Sequence, residues 1–206
     1  VDVITPSFCL SDITASFPNQ STNADGSTAN LTYAWNFGDA LKSTPSNPNT
    51  ATSRNPTHNY SDPGDYSISL EVTTAQGCSV TQTKTFRVNG INPVADFEVV
   101  NSSNLCSKNS VSFINKSYVG GFGSVTRLEW YFDYGNNPSQ VLIDNNPSPD
   151  KVYTFSYPTF HAPATKNYSV RLVAYSGGVC VSLETIKTIV LKAVPEVVFS
   201  TLSSVC

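Results

Sequence analysis

Two strand-like segments that each carry a tryptophan constrain the fold of this chain more than any other feature. They run from Tyr33 to Asp39 and from Leu128 to Gly135, and they hold both of its tryptophans. Large apolar residues alternate in them with small or polar residues, which is the period of a strand with one buried face. Trp35 and Phe37 share such a face, and Gly38-Asp39 then ends the run with turn-forming residues. The recurrence of the pattern indicates an internal repeat.

Further segments recur in the same order around the two tryptophan strands. Upstream, a Phe-x-Asn-x-Ser element begins at Phe17 and again at Phe113. Downstream, alternating strands run from Tyr66 to Val72 and from Tyr168 to Ala174. Short strands separated by Gly and Pro turns, with no helical period, predict an all-β chain of tandem antiparallel β-sandwiches.

The repeat predicts how the chain is divided. Residues 1–91 form a first sandwich, residues 92–193 a divergent second one, and residues 194–206 the first strand of a truncated third. Two polar segments, 41–55 and 136–151, are rich in turn formers and are predicted to be irregular. The chain contains no methionine, from which we expect an internal piece of a longer protein or a processed product.

Composition excludes some classes of partner. Charged residues make up 13% of the chain and the net charge is -3. A chain with no basic stripe is poorly suited to a phosphate backbone, so we predict no nucleic-acid partner. No apolar run approaches the roughly 18 residues of a membrane-spanning helix, so no membrane span is predicted in this segment.

The five cysteines follow the repeat. Cys9, Cys106 and Cys206 stand at the start of a unit, whereas Cys78 and Cys180 stand near the end of one. We predict the disulfides Cys9–Cys78 and Cys106–Cys180 within units, with Cys206 unpaired because of truncation; buried reduced thiols are the alternative. The absence of a C-x-x-C pair argues against zinc. Disulfides predict an extracellular or cell-surface location.

Three motifs in a fixed order resemble the PKD (polycystic kidney disease) domain. The residues that carry the resemblance are Trp35, Phe37, Gly38 and Asp39, then His58 and Tyr60, then Gly64 and Tyr66. The second unit retains Trp130, Phe132 and His161 but departs from the pattern elsewhere, with Asp133-Tyr134-Gly135 in place of Gly-Asp. The serial arrangement is similar to the repeats of large Bacteroidota surface adhesins.

The resemblance implies an immunoglobulin-like sandwich of about seven strands for each unit. It also implies a module that serves as a spacer or a binding domain in surface and secreted proteins. Some members of the family bind calcium, and by position Asp25 and Asp39 are weak candidate ligands here. Turn capping is the alternative role for both carboxylates. No other cofactor is predicted.

The sequence gives little support for catalysis. His58 and His161 are interpreted as occupying matching places in the two units, which favours a turn-stabilising role over a catalytic base. We find no nucleophile motif and no phosphate-binding loop, so we predict that the chain is not an enzyme.

Two functions remain open. The leading hypothesis is a structural spacer or stalk of a large secreted or surface-attached adhesin-like protein, with neighbouring repeats of the same polypeptide as its partners. The alternative is a carbohydrate- or protein-binding accessory module of a secreted hydrolase, whose partners are surface glycans or matrix protein. The aromatic residues least constrained by the core pattern are Tyr118, Phe122, Tyr131, Tyr134 and Tyr175. Lateral self-association through edge strands is a further expectation.

Overall fold

The computed structural model describes residues 8–12, 14–91 and 93–199. It confirms the all-β fold. Within these ranges, residues 8–91 (the first half) contain seven strands: β1 Phe8–Cys9, β2 Ala15–Ser16, β3 Thr32–Asn36, β4 Thr50–Ala51, β5 Thr57–His58, β6 Gly64–Thr73 and β7 Ser79–Asn89. A short 3-10 turn covers Ala40–Lys42.

Residues 93–199 (the second half) contain nine strands among the described residues. They are β8 Pro93–Val94, β9 Phe97–Val99, β10 Val111–Asn115, β11 Tyr118–Val119, β12 Arg127–Tyr131, β13 Leu142–Asp144, β14 Val152–Phe155, β15 Thr165–Tyr175 and β16 Thr185–Lys192. A second 3-10 turn covers Ser102–Asn104. The segments predicted to be irregular include the short strands β4 and β13, each of which pairs with the tryptophan strand of its half. That part of the prediction was wrong.

Each half buries its apolar residues between sheets. In the first half a sheet ordered β1-β7-β6-β3-β4 is accompanied by the pair β2-β5, and in the second a sheet ordered β13-β12-β15-β16 is accompanied by β14-β10-β9. Strand β1 runs parallel to β7, with Cys9 opposite Asn89, whereas the β6–β7 hairpin is antiparallel. The buried residues form two separate hydrophobic clusters, one in each half.

The tryptophans occupy the same place in the two clusters. Trp35 and Trp130 are almost fully buried. The Trp35 ring lies 6.1 Å from that of Phe17, and the Trp130 ring lies 5.9 Å from that of Phe113. The alternating faces predicted for β6 and β15 also point into the clusters. The division of the chain at residues 91/92 and 193/194 stays a prediction, although the two clusters are consistent with it.

A buried tyrosine closes each core in the same way. The Tyr60 hydroxyl donates a hydrogen bond to the Phe37 carbonyl at 3.0 Å, and the Tyr157 hydroxyl donates one to the Phe132 carbonyl at 2.7 Å. A ring two residues earlier stacks on the phenylalanine that supplies this carbonyl. In the first half it is His58, 4.6 Å from Phe37, and in the second it is Phe155, 4.9 Å from Phe132.

These contacts correct the interpretation of the histidines. The counterpart of His58 is Phe155, and His161 does not match it. His58 is buried, whereas His161 is exposed and its Nδ1 lies 3.0 Å from the Val194 carbonyl oxygen. The sequence comparison was wrong because it aligned two Pro-Thr pairs rather than the tyrosines that cap the cores.

The two capping tyrosines predict a loss of stability in base. Burial raises the pKa of both Tyr60 and Tyr157 well above the ordinary value of 10.0. Because the pKa is raised in the folded state, the stability that the two buried, neutral tyrosines contribute is fully present below the unfolded-state pKa of about 10. It is lost as the pH rises above that value. We expect the urea midpoint to fall steeply above about pH 10.

The double variant Tyr60→Phe with Tyr157→Phe tests this prediction. It lacks both ionisations, so its midpoint at neutral pH is lower but its decline in base is shallower. Tyr118→Phe is the matched control, since Tyr118 is 57% exposed. An identical alkaline decline in the double variant and the control would contradict the prediction.

Candidate functional site at the junction of the two halves

One disulfide joins the two halves of the molecule. It links Cys9 of β1 to Cys180 in the turn between β15 and β16, across 171 residues of sequence. Both cysteines are buried, whereas Cys78 and Cys106 are free thiols, Cys78 exposed and Cys106 half-buried. The predicted pairings Cys9–Cys78 and Cys106–Cys180 were therefore wrong. Cys206 lies outside the described residues.

The direction of the strands explains why the predicted pairs do not form. Cys9 lies beside Asn89, at the end of β7, whereas Cys78 immediately precedes the start of β7. An 11-residue strand separates the two cysteines by about 35 Å, far beyond the roughly 6 Å between Cα atoms that a disulfide needs. In the second half Cys106 makes a parallel β-bridge with Lys192 at the end of β16, whereas Cys180 precedes the start of that strand. Cys106 and Cys180 therefore lie near opposite ends of β16.

Asp12 binds the turn that carries Cys180. Its carboxylate accepts hydrogen bonds from the backbone N–H groups of Gly178 at 3.0 Å and Val179 at 2.9 Å. It also accepts one from the N–H of Cys9 at 2.7 Å. Hydrogen bonds from an N–H to an ionised carboxylate are among the stronger ones in proteins. Asp12 therefore connects both sides of the disulfide through main-chain atoms.

Gly177 allows the two backbones to approach closely at this point. A Cβ built on Gly177 would lie 2.5 Å from the Cys9 Cβ and 2.6 Å from the Cys9 nitrogen. A side chain at that place would force the two backbones apart, so glycine lets this turn lie directly against β1. The sequence Gly177-Gly178 is thus explained by contact with the other half rather than by the hairpin alone.

A second set of polar contacts lies beside the disulfide. The Asn89 side-chain amide donates to the Ser176 carbonyl at 2.9 Å and accepts from the Ser124 N–H at 3.1 Å. The Ser176 hydroxyl donates to the Gly90 carbonyl at 2.8 Å. Asn89 and Ser176 are almost fully buried. Buried polar groups that satisfy one another in this way fix relative orientation, since breaking any of them leaves an unpaired group.

Removal of the Asp12 carboxylate tests its role. In Asp12→Ala three backbone N–H groups lose their acceptor, and because the bonds from Gly178 and Val179 are exposed to water the loss is about 1 kcal/mol for each hydrogen bond. We expect the Cys9–Cys180 bond to be reduced faster by dithiothreitol, because the turn opens more often. Asp12→Asn retains one acceptor oxygen, so its rate of disulfide reduction should lie between that of the wild type and that of Asp12→Ala. Asp25→Ala is a control on an exposed turn, and an equal rate in Asp12→Ala and that control would contradict the prediction.

The candidate calcium ligands lie in different surroundings. Asp25 is exposed and accepts a hydrogen bond from the Ser27 N–H at 2.8 Å, and hydrogen bonds from Ser27 hold its pKa below the usual range. Asp39 is buried, and its Oδ2 lies 3.1 Å from His58 Nε2. Within the described residues, no group of three or more His, Cys, Asp or Glu side chains is placed to hold a metal ion. Calcium binding stays a prediction.

The residues of the PKD-like motif hold the core of the first half together. Gly38 has a φ of +74°, and a Cβ there would lie 2.7 Å from the Ser67 carbonyl oxygen, so this turn needs glycine. Tyr66, two residues after Gly64 at the start of β6, packs on Tyr60 with 4.1 Å between ring centroids. Asn19 and Asn115, the central residues of the two Phe-x-Asn-x-Ser elements, each accept a hydrogen bond from the backbone N–H two residues on.

The predicted aromatic surface is only partly open. The Arg171 guanidinium lies over both Tyr131 and Tyr134, at 4.7 and 4.9 Å from the ring centroids, and Arg127 covers Tyr175 at 3.7 Å. Of the five aromatic residues that the sequence leaves unassigned, Tyr118 and Phe122 are exposed. A continuous strip of open rings is therefore not formed by this set.

Sequence reasoning missed Asp12, Asn89 and Ser176. Each is an ordinary polar residue of a turn or strand end, and each acquires its role by contact with the other half. The sequence offered one signal of this contact, the pair Gly177-Gly178. A hairpin turn does not need two glycines, so the pair indicates that another part of the chain approaches closely there.

The first half of the chain matches a known protein family. The family model of the PKD domain matches residues 9–89, which is the first half up to the end of β7. Those residues are therefore similar to a PKD domain, as the sequence resemblance predicts. The match covers less than half of the chain.

Solved structures that are similar to this chain share little sequence identity with it. The fibronectin(III)-like modules of Clostridium thermocellum CbhA share 13% identity, with 88% of this chain and 86% of that chain covered and a TM-score of 0.47. The chicken CNTN1 FN1–FN3 domains share 12% identity, with 88% and 61% covered and a TM-score of 0.49. At these values the likeness carries no argument about ligand, activity or partners.

In the part of the chain that the structure describes, no helix is long and apolar enough to cross a membrane.

Proposed function

We propose that this chain is a structural spacer of a large secreted or surface-attached, adhesin-like protein, in which two β-sandwich units are held in a fixed relative position. The observation that carries the proposal is the junction itself. A buried disulfide, a carboxylate bound to main-chain N–H groups of both halves and a buried Asn89–Ser176 contact meet within a few residues. Units joined only by a flexible linker need none of these contacts.

The second half is, in this proposal, a divergent unit of the same PKD-like kind. This proposal is supported by three contacts that occur in both halves. A tryptophan packs on a phenylalanine, a buried tyrosine hydroxyl donates to a core carbonyl, and an asparagine side chain accepts from the backbone N–H two residues on. Their members, in the order first half and second half, are Trp35 and Trp130, Tyr60 and Tyr157, and Asn19 and Asn115. A stable disulfide supports an oxidising, extracellular location. The proposal assigns no catalytic role.

Distance measurements between the halves test the spacer function. Dyes attached through ketone-bearing residues in place of Leu41 and Leu183 avoid the cysteines, and both positions are more than nine-tenths exposed. We expect one narrow distance distribution in the oxidised protein, because the junction fixes the two halves. The variant Cys9→Ser with Cys180→Ser should broaden it, and the matched control Cys78→Ser with Cys106→Ser should not. A broad distribution in the oxidised wild type would overturn the proposal.

A carbohydrate- or protein-binding module of a secreted hydrolase is the second candidate. It is favoured by Tyr118, an exposed ring beside a depression of about 170 Å³ that Pro147 and Pro149 also line. An exposed aromatic face beside a concave surface suits the stacking of a sugar ring. A glycan array tests it: reproducible binding that Tyr118→Ala abolishes would favour this candidate, and no binding would remove it.

A further inference from the structure

We propose that Cys106, a free thiol in this chain, forms a disulfide with the hairpin cysteine of another unit of the same kind, as Cys9 does with Cys180. A second copy of this chain can supply that cysteine as Cys78. Here a receiving turn means the four residues from Cys9 to Asp12 or their counterparts Cys106 to Asn109. A donor turn means residues 176–180 or their counterparts 74–78. The inference rests on the proposed spacer function, because it takes the Cys9–Cys180 junction as its template.

The two receiving turns share their backbone contacts. Cys9 pairs in parallel with Asn89 at the end of β7, and Cys106 pairs in parallel with Lys192 at the end of β16. Within the turn, the Asp12 N–H donates to the Cys9 carbonyl at 2.8 Å, and the Asn109 N–H donates to the Cys106 carbonyl at 3.0 Å. Cys106 therefore stands where Cys9 stands, at the same end of the equivalent sheet.

The residues around these cysteines correspond as well. The N–H of the residue after each cysteine, Leu10 or Ser107, donates to the carbonyl of the strand partner at 3.0 Å in both halves. The residue before each cysteine, Phe8 or Leu105, is buried in the core. The difference lies above the turn. Cys9 is covered by the donor turn, whereas Cys106 is half-buried and borders an open cleft of about 130 Å³ that Asn109 also lines.

The two donor turns are closed by the same backbone hydrogen bond. In the second half the Ser176 N–H donates to the Cys180 carbonyl at 3.1 Å, and in the first half the Thr74 N–H donates to the Cys78 carbonyl at 2.9 Å. The next pair outwards is matched too, Tyr175 with Val181 and Thr73 with Ser79. Cys78 is an exposed free thiol at the tip of its hairpin. The first half thus presents a donor cysteine and the second half a receiving one.

Two side chains set how well the second junction closes. Ala75 stands where Gly177 stands in the formed junction, and a Cβ at that place meets the receiving cysteine at 2.5 Å. Asn109 replaces Asp12, so the receiving turn offers a neutral amide oxygen in place of a carboxylate. The geometry therefore predicts that Ala75 hinders the approach of Cys78 and that Ala75→Gly removes the obstacle.

The chemistry is a two-step thiol–disulfide exchange with oxidised glutathione as the oxidant. The Cys106 thiolate attacks the disulfide of glutathione, which gives a mixed disulfide and releases one glutathione thiolate. The Cys78 thiolate of the second copy then attacks the Cys106 sulfur and releases the second glutathione. Two protein thiols are oxidised to one disulfide, and one oxidised glutathione is reduced to two glutathione molecules.

The first test uses the intact chain with Cys206→Ser, so that Cys206 cannot take part. The protein is incubated at high concentration in glutathione redox buffer, its free thiols are then alkylated, and the disulfide-linked peptides are mapped by mass spectrometry. We expect Cys78–Cys106 peptides between copies, more abundant than symmetric Cys78–Cys78 or Cys106–Cys106 peptides, with Cys9–Cys180 intact. Mixing a Cys78→Ser chain with a Cys106→Ser chain should give a disulfide-linked dimer but no longer oligomers, because each chain then has only one of the two thiols.

The Ala75→Gly variant tests the docking geometry. We expect it to raise the yield of Cys78–Cys106 peptides severalfold, whereas Ala24→Gly, an equivalent change in a distant exposed turn, should leave the yield unchanged. An equal yield in both variants would contradict the proposal, because it would mean that the donor turn does not lie against Cys106 as Cys180 lies against Cys9. Predominantly symmetric Cys78–Cys78 links would contradict it as well.

A fused chain removes the cost of bringing two molecules together. Residues 1–205 are joined to residues 9–206 of a second copy, so that Cys9 of the second copy takes the place of Cys206. The effective concentration of the two turns is then set by the linker rather than by the solution. The expected map contains Cys106 of the first copy linked to Cys78 of the second, and its absence here, with Ala75→Gly included, overturns the proposal.

The failure of this inference and the failure of the spacer function can be told apart. The distance measurement depends on Cys9 and Cys180 and is unaffected by Cys78 and Cys106. A narrow distance distribution without Cys78–Cys106 links would leave the spacer intact and remove the second receiving turn. A broad distribution would remove the template on which both rest.

Discussion

Pulled by its two ends, the oxidised protein is expected to lengthen only by the segments outside Cys9 and Cys180. Force enters before Cys9, crosses the disulfide and leaves after Cys180, so the residues between them, over a sequence separation of 171, carry no load. Reduction releases those residues, and at about 3.5 Å for each extended residue the added length is roughly 600 Å. Single-molecule force spectroscopy with and without a reductant measures this difference directly.

The controls separate this disulfide from the other thiols. The variant Cys9→Ser with Cys180→Ser should show the full extension without a reductant. The matched variant Cys78→Ser with Cys106→Ser should behave as the oxidised wild type does. The same extension in both variants, or in the wild type before and after reduction, would contradict a load path through the junction.

Within the second half, the load path separates one strand from the rest. Residues after Cys180 include β16, which pairs with β15 along its whole length. In the oxidised protein β16 is therefore the long strand that force can pull away, whereas the entire first half beyond β1 is shielded. A small extension from the loss of β16 is the event expected before the pulling device detaches.

Removal of the Trp35 side chain is expected to unfold the first half under conditions in which the second remains folded. Trp35 is 2% exposed, packs on Phe17 and Phe37, and donates from its indole N–H to the Ser53 carbonyl at 3.1 Å. Truncation of a buried tryptophan to alanine typically costs about 3–5 kcal/mol. A domain of this size has about 5–15 kcal/mol in all, so a large share is lost.

The two tryptophans make the test selective. In Trp35→Ala the remaining tryptophan is Trp130, which is fully buried in the core of the second half and is excited selectively at a wavelength that tyrosine does not absorb. We expect a urea transition of circular dichroism at much lower concentration than that of Trp130 fluorescence. Leu41→Ala is the control, since Leu41 is 98% exposed and its truncation should change neither transition. Coincident transitions in Trp35→Ala would show that the halves unfold together and would contradict this prediction.

Local pattern was sufficient for the tryptophan strands, for the long strands β6 and β15 and for the buried faces of both cores, but not for the short strands β4 and β13. The alternation around Trp35 and Trp130 and along β6 and β15 predicts the buried faces that the structure has, because a strand places every second side chain on one side whatever lies around it. The match of residues 9–89 to the PKD domain agrees with the motif that contains Trp35 and Tyr60.

The cysteine pairing could not be predicted in the same way. Position in the sequence places Cys9 and Cys78 in one repeat, yet they lie at opposite ends of β7. Which cysteine meets Cys9 depends on how the two halves are placed relative to each other, and no local pattern encodes that. Asp12 and Gly177 belong to the same class, since each is explained by an atom from the other half. His161 was misassigned for a simpler reason, namely a shared Pro-Thr pair in segments that occupy different places.

The disulfide also turns most of the polypeptide into a closed ring. Backbone from Cys9 to Cys180 and the bond between their sulfurs form one continuous covalent loop that contains most of both cores. A protease that cuts once in any exposed loop of this ring, such as residues 136–141, leaves both fragments attached to each other. Two cuts, or one cut and a reductant, are needed to release a piece of this loop, so the protein remains one covalent molecule after the first cleavage.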